Sequence, residues 1–382
     1  MYGDWLMASK NDNNNDDEKI AIDPLESAIV ALRHGHYRES LGGVNPTGAS
    51  AEMINERGEK VLVGKCLRQV WYSKKKIPRT NTSTDNNQFV FMMGHMGEAG
   101  LHEAWTNAGI LLESNAKMVH NFAKNPDKDD EIRLSGEVDA ILRWSEWKTG
   151  EDGVPRIHID PTKAIGIEVK TKYGHFGKAQ IMGNKNSTYE LGFPQIEHLM
   201  QTALYLAARK RFEDYHNVEI PYFVICYILR DNGIHKSFRV ELSDGYDGRI
   251  IVKDMNGKEL KPKMEKALEW NVTPQQMELT LDMMRERYYQ QLENLKSDTP
   301  PPREYDLRYS DEKAERLFNA GDLSKTKKAN HEKNPLDNIG DWNCSYCDWK
   351  DVCYPQGIFT KDVEDGKLTL DEALVKYGIG QD

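Results

Sequence analysis

Ser135-Gly-Glu-Val-Asp139-Ala-Ile-Leu142 and, after a polar stretch, Ala164-Ile-Gly-Ile-Glu168-Val-Lys170-Thr171 decide how this chain is read. In the second segment Ile165, Ile167, Val169 and Thr171 alternate with Gly166, Glu168 and Lys170. A period of two predicts a β-strand with one apolar, buried face. Glu168 and Lys170 then share the opposite face, roughly 7 Å apart at ~3.3 Å per residue. In the first segment Val138, Ala140 and Leu142 alternate with Glu137, Asp139 and Ile141. Pairing of the two strands would bring Asp139 and Glu168 together at one end of a sheet. Two carboxylates there suit a hard divalent cation, with Lys170 beside them. A solvated surface hairpin would carry the same short pattern, so the rest of the chain has to decide.

The 382 residues suffice for one large domain or two ordinary ones, and 29% charged with 38% apolar residues is a globular composition. No apolar run approaches the ~18 residues needed to cross a bilayer. Met1-Tyr-Gly-Asp-Trp-Leu6 lacks the basic start and apolar core of a signal peptide, so a cytoplasmic protein without a membrane partner is expected. The five cysteines are then reduced thiols or metal ligands rather than disulfides. A net charge of −10 argues against a general nucleic-acid coat but not against a local basic groove, and Lys74, Lys75, Lys76 and Arg79 form one such cluster.

Residues 1–55 read as an acidic, Asn-rich tail and a Gly- and Ser-rich linker, with a short helix over 24–38. Helices are predicted over 61–72 and 91–105, the second closed by Gly109. On the second, Glu98 and His102 are four apart and face one way. Residues 174–192 look like a loop whose Lys178, Lys185 and Tyr189 could touch a polyanion. An amphipathic helix over 195–211 has His198, Gln201 and Tyr205 on its polar stripe. A strand over 221–229 is followed by an Asn232-Gly233 hairpin into residues 236–242. A long helix is expected over 273–295, ended by Pro300-Pro-Pro302, and partly helical structure over 306–333. Thr369-Leu-Asp-Glu372 is a capping box for a last helix in a 358–382 tail.

Cys344-Ser-Tyr-Cys347-Asp-Trp-Lys-Asp-Val-Cys353 sets three thiols within ten residues. Thiolates at this spacing can hold zinc or an iron–sulfur cluster. A fourth ligand is needed; Cys226 falls in an apolar strand, which leaves Cys66. Zinc sites more often use two close pairs, so a one-plus-three split favours iron–sulfur.

Gly94-x-x-x-Glu98, Asp139, Glu168-x-Lys170 and Gln201-x-x-x-Tyr205, in this order, resemble the motifs of RecB-like PD-(D/E)XK nucleases. Cys66 ahead of them and Cys-x2-Cys-x5-Cys after them are similar to the iron–sulfur subgroup, which includes AddB-type recombination nucleases and CRISPR-adaptation nucleases. The resemblance covers roughly residues 56–357. Val138 stands where the family has its name-giving Pro, and Glu98 where many members have His, so His95 and His102 are alternative ligands.

The resemblance implies an α/β, restriction-endonuclease-like mixed central sheet flanked by helices. The core would span 56–340, with 341–357 completing a 4Fe–4S site with Cys66 and joining the N- and C-terminal parts. It implies Mg²⁺ or Mn²⁺ bound by Asp139, Glu168 and the Val169 carbonyl, with Glu98 completing or orienting the shell. Lys170 would orient the attacking water or neutralise developing charge, while Gln201 and Tyr205 would position Lys170 or the DNA backbone. The expected activity is a metal-dependent exonuclease on single-stranded or duplex DNA ends, in recombination, repair or phage replication. A structure- or site-specific endonuclease and a non-catalytic iron–sulfur DNA-binding protein are the alternatives. No Gly-x4-Gly-Lys-Ser/Thr loop is present, so a helicase, recombinase or single-strand-binding partner would be a separate chain.

Overall fold

A computed structural model describes residues 44–54, 60–81, 85–124, 131–172, 181–183, 190–244, 248–260, 279–321, 323–334, 339–354 and 372. The N-terminal tail, the helix expected over 24–38, most of the 174–192 loop and nearly all of the closing helix lie outside them.

The Gly- and Ser-rich stretch read as a linker contains structure. Strand β1 (Ser50–Ile54) pairs antiparallel with β2 (Lys60–Gly64). The helix expected from residue 61 starts instead as α1 (Leu67–Lys74), with Cys66 at its N-cap. Val61-Leu-Val63 is a short apolar run that periodicity cannot assign, and its β-branched residues favour the strand. Next comes α2 (Asp85–Asn107), which includes the expected 91–105 and ends at Gly109, whose φ is +70°.

A six-stranded mixed sheet follows: β3 (Leu111–Lys124), β4 (Glu131–Thr149), β5 (Pro155–Lys172), β6 (Phe223–Leu229), β7 (His235–Leu242) and β8 (Ile250–Lys253), in that spatial order. All neighbours are antiparallel except β5 and β6, which are parallel. A parallel pair needs a long crossover. Here it carries α3 (Ile196–Ala207) and α4 (Lys210–His216), two helices where the sequence suggested one. The break falls at Ala208-Arg209, where the Arg209 guanidinium bonds the Leu206 carbonyl and the Glu213 carboxylate.

Both faces of the sheet are covered. Leu199, Met200, Ala203 and Leu204 of α3 pack with Ile141, Ala164, Phe223, Ile225 and Phe238 in the main core. On the other face Ala140, Leu142, Ile167, Tyr222 and Val224 form a smaller core, against which Trp105 of α2, Ile165 and Val169 pack. The isoleucines of the β5 motif thus face α2, and the Gly166/Glu168 side turns inward toward α3 rather than to water. Close approach requires the glycine: a methyl group at Gly166 would lie 2.5 Å from the Phe223 ring.

Helix α5 (Leu281–Leu295) begins at its Thr280 cap rather than at residue 273. Short helices α6 (Asp311–Asn319), α7 (Lys325–Lys333), α8 (Trp342–Ser345) and α9 (Lys350–Cys353) complete the described chain. Among the described residues no helix is long and apolar enough to cross a membrane.

Candidate functional site

The β4–β5 ladder runs to the pair Ala140–Ile167 and stops there. Asp139 and Glu168 would be the next pair in register. Instead the Asp139 carboxylate replaces the ladder, with Oδ2 accepting the Val169 N–H at 2.6 Å. Glu168 is only 1% exposed. Its Oε1 accepts from Lys170 Nζ at 2.6 Å, whereas Oε2 is buried with no hydrogen-bond partner. Burial pushes the Glu168 carboxyl up to about 8; Lys170 opposes the rise and Asp139 adds to it. Asp139 is pushed up to about 6, again chiefly by burial. Two adjoining carboxyls thus share too few donors, the condition that a bound cation relieves.

Helix α2 crosses the end of this hairpin. A methyl group at Gly94 or Gly97 would sit 3.4 or 3.6 Å from the Thr171 side chain, so these glycines line the helix's approach to β5. One turn on from Gly94, Glu98 is near enough to raise both Asp139 and Glu168 further. His102 lies on the same side: its charge would act on Asp139, and its Nε2 is buried without a partner. His95 is different. It is exposed, with Nδ1 3.7 Å from Glu98 Oε2.

Gln201 and Tyr205 meet behind the carboxylates, where Gln201 Nε2 donates to Tyr205 Oη at 3.2 Å. They are 8% and 2% exposed, so they are core residues rather than a DNA-facing polar stripe. Tyr205 explains the glycine of the first motif, because a methyl group at Gly136 would lie 2.8 Å from its ring. Burial and the Glu168 charge keep the Tyr205 hydroxyl protonated. His198, one turn before Gln201, is half-buried; its Nδ1 is 2.8 Å from Tyr227 Oη, and desolvation with Lys170 nearby keeps it neutral. The Tyr227 partner lies in an apolar strand run, where no sequence signal marks it as polar in use.

Cys66, Cys344, Cys347 and Cys353 line one cavity together with Arg68, Tyr72, Arg303, Lys350 and Tyr354. The meeting does not depend on the thiols alone. Trp71, Tyr72 and Trp349 form a separate small core, with Leu295, Cys347 and Cys353 against it. Trp349 Nε1 donates to the Ile77 carbonyl at 2.8 Å, and the N–H groups of Thr80 and Asn81 both reach the Asp348 carbonyl. Glu304 Oε2 accepts the Leu67 N–H at the start of α1, and its Oε1 takes the buried Arg287 guanidinium at 2.7 Å. Burial pushes Cys66 up to about 11 and also raises Cys344 and Cys347. Cys226 stands apart in β6, its sulfur accepting from Ser237. Among the described residues no three His, Cys, Asp or Glu side chains are drawn into the geometry of a single-ion site.

No protein family matches this chain, and no curated protein matches it. Among solved structures, the crystal structure of SSO0001 is similar over 56% of this chain and 74% of its own, at 17% identity and a TM-score of 0.31. A likeness that loose says nothing about function.

Proposed function

We propose that this chain is a metal-dependent DNA exonuclease with a PD-(D/E)XK centre in a restriction-endonuclease-like core, and an iron–sulfur module joining its N- and C-terminal parts. The observation that carries the reading is Glu168: a wholly buried carboxylate, one oxygen on Lys170 and the other without a partner, beside Asp139. Such a group is costly to keep unless a ligand completes it. The fit favours Mg²⁺ or Mn²⁺, since the donors are hard oxygens. Asp139, Glu168 and the Val169 carbonyl would hold the ion, with Glu98 or His102 completing its surroundings. When bound, the ion would polarise the scissile phosphate and make a bound water more acidic. Lys170, tethered to Glu168, orients the attacking water or offsets charge developing on the phosphate. Gln201 and Tyr205 act from behind, packing β4 against α3 so that Asp139 keeps its place.

The cysteine cavity fits a thiolate-bound cluster. Four cysteines from both ends of the chain surround it, and Arg68, Arg303 and Lys350 supply positive charge around what would be an anionic group.

Anoxic purification followed by incubation with labelled linear, nicked and circular DNA, in Mg²⁺ or Mn²⁺, tests the activity. Degradation of linear DNA alone is expected. Cleavage of circles would replace the exonuclease with an endonuclease, and no cleavage with either metal would remove the enzyme reading. A broad visible absorption band that disappears in Cys344→Ala is expected for the cluster; a colourless protein would exclude it.

A further inference from the structure

His198 has no role in the centre described above, yet its hydrogen-bond partner stands directly beside Lys170. Lys170 on β5 and Tyr227 on β6 are register partners in the parallel pair, on strands about 4.8 Å apart and on the face that α3 covers. Tyr227 is fully buried. The Gln195 N–H donates to its Oη at 3.0 Å, and the same Oη lies 2.8 Å from His198 Nδ1. A buried tyrosine hydroxyl needs an acceptor for its own proton. Nδ1 is the one within reach, so it accepts from Tyr227 and the ring carries its proton on Nε2. That Nε2–H has no hydrogen-bond partner among the described residues. His198 and Lys170 are both partly exposed, so a ligand can reach them together. Burial, and then the charges of Lys170 and Lys172, keep the ring from taking a second proton. A neutral donor held in one tautomer beside a cation suits an anion, because it adds a hydrogen bond without a second desolvated charge.

We propose that His198 Nε2–H donates a hydrogen bond to an oxygen of the DNA phosphate at Lys170, which makes His198 a further catalytic residue of the same centre. This rests on the nuclease reading. Tyr227 is a positioning residue: its hydroxyl fixes the imidazole tautomer, and the Gln195 N–H fixes the hydroxyl in turn. The chain of donors runs one way, from Gln195 through Tyr227 and His198 to the substrate. Nε2 keeps its proton throughout, and the bond strengthens as negative charge grows on the phosphate oxygen. The contact is to the backbone alone, so it carries no sequence preference.

NMR of protein carrying isotope-labelled histidine, in EDTA with a short single-stranded DNA oligonucleotide, tests the contact, and His198→Gln identifies the signal. Before DNA is added, Nδ1 should show the shift of an acceptor and Nε2 that of a bonded N–H. DNA should move the Nε2–H proton downfield and leave Nδ1 unchanged. In cleavage assays His198→Phe should lower kcat/KM on linear DNA by about 10²-fold. His198→Gln, whose amide N–H can stand where Nε2–H does, should recover part of that loss. Tyr227→Phe keeps the imidazole but frees its tautomer, and should cost less than His198→Phe. If wild type cleaves DNA, the contact is wrong and the nuclease reading stands on any of three results: the proton already on Nδ1, an unmoved Nε2–H in the DNA complex, or equal kcat/KM for His198→Phe and wild type. If wild type neither binds nor cleaves DNA, both fall.

Discussion

The carboxylate centre and the cysteine cavity are built in opposite ways. Asp139, Glu168 and Lys170 lie on two adjacent strands of one ladder, and the end of that ladder places them. Cys66 and Cys344 are roughly 280 residues apart in sequence and meet through a small aromatic core and a few hydrogen bonds to carbonyls. The first region is held by the main hydrophobic core of the sheet and α3. The second adds little buried apolar area of its own, so its order depends more on whatever the thiols bind. Stability is not uniform across such a molecule, and the cysteine segment should open at lower cost than the sheet.

The sharpest way to break this contrast is at Lys170. Lys170→Ala should reduce cleavage of linear DNA by about 10²–10³-fold, with unchanged far-UV circular dichroism and retained DNA binding; unfolding would mean that the residue holds the fold rather than the chemistry. The next effect belongs to the cavity. Cys66→Ser and Cys353→Ser should each remove the visible absorption and make residues 341–354 the first site of limited proteolysis. Thermal unfolding of the sheet should move far less, and a concerted collapse would show that the two regions are one cooperative unit.

Gly136→Ala probes the packing behind Asp139. The added methyl meets the Tyr205 ring and should destabilise the protein by about 1–3 kcal/mol in urea titrations. Tyr205→Phe keeps the ring and loses only the Gln201 hydrogen bond, a cost of about 0.5–1.5 kcal/mol.

A pH dependence confined to the first region is also expected. Glu168 in the metal-free fold is raised from its ordinary carboxylate value to about 8. The folded state therefore keeps a proton that the unfolded chain releases. Its contribution to stability is full below the ordinary value and is lost as pH rises toward about 8. In metal-free protein, stability should fall over that range relative to Glu168→Gln, and Mg²⁺ should offset the loss. Equal pH profiles for wild type and Glu168→Gln would show that the carboxyl does not titrate as its burial requires.

The sheet's middle was legible because strand periodicity and motif coincide: residues 164–171 alternate, and so does the strand. The Asn232-Gly233 turn was equally plain. The face was not. Alternation alone could not tell that the Glu168 side turns inward to α3, because a strand covered on both faces has no solvent side to mark. β2 is hidden for a related reason: Val61-Leu-Val63 is too short to separate strand from helix, and only packing decides it. Gln201 and Tyr205 read as a surface stripe since both are polar; the missing side chains at Gly136 and Gly166 make room for Tyr205 and Phe223, and spacing carries no record of that.

By itself the sequence determined which residues could act together: acidic and basic groups at strand spacing, and cysteines too close to be incidental. The reason is local, since backbone geometry sets which side chains share a face. Tertiary structure alone decided that Glu168 loses its solvent, that His198 finds Tyr227, and that Cys66 meets Cys344. Burial and long-range contact depend on what packs against a residue, and no stretch of its own neighbours encodes that.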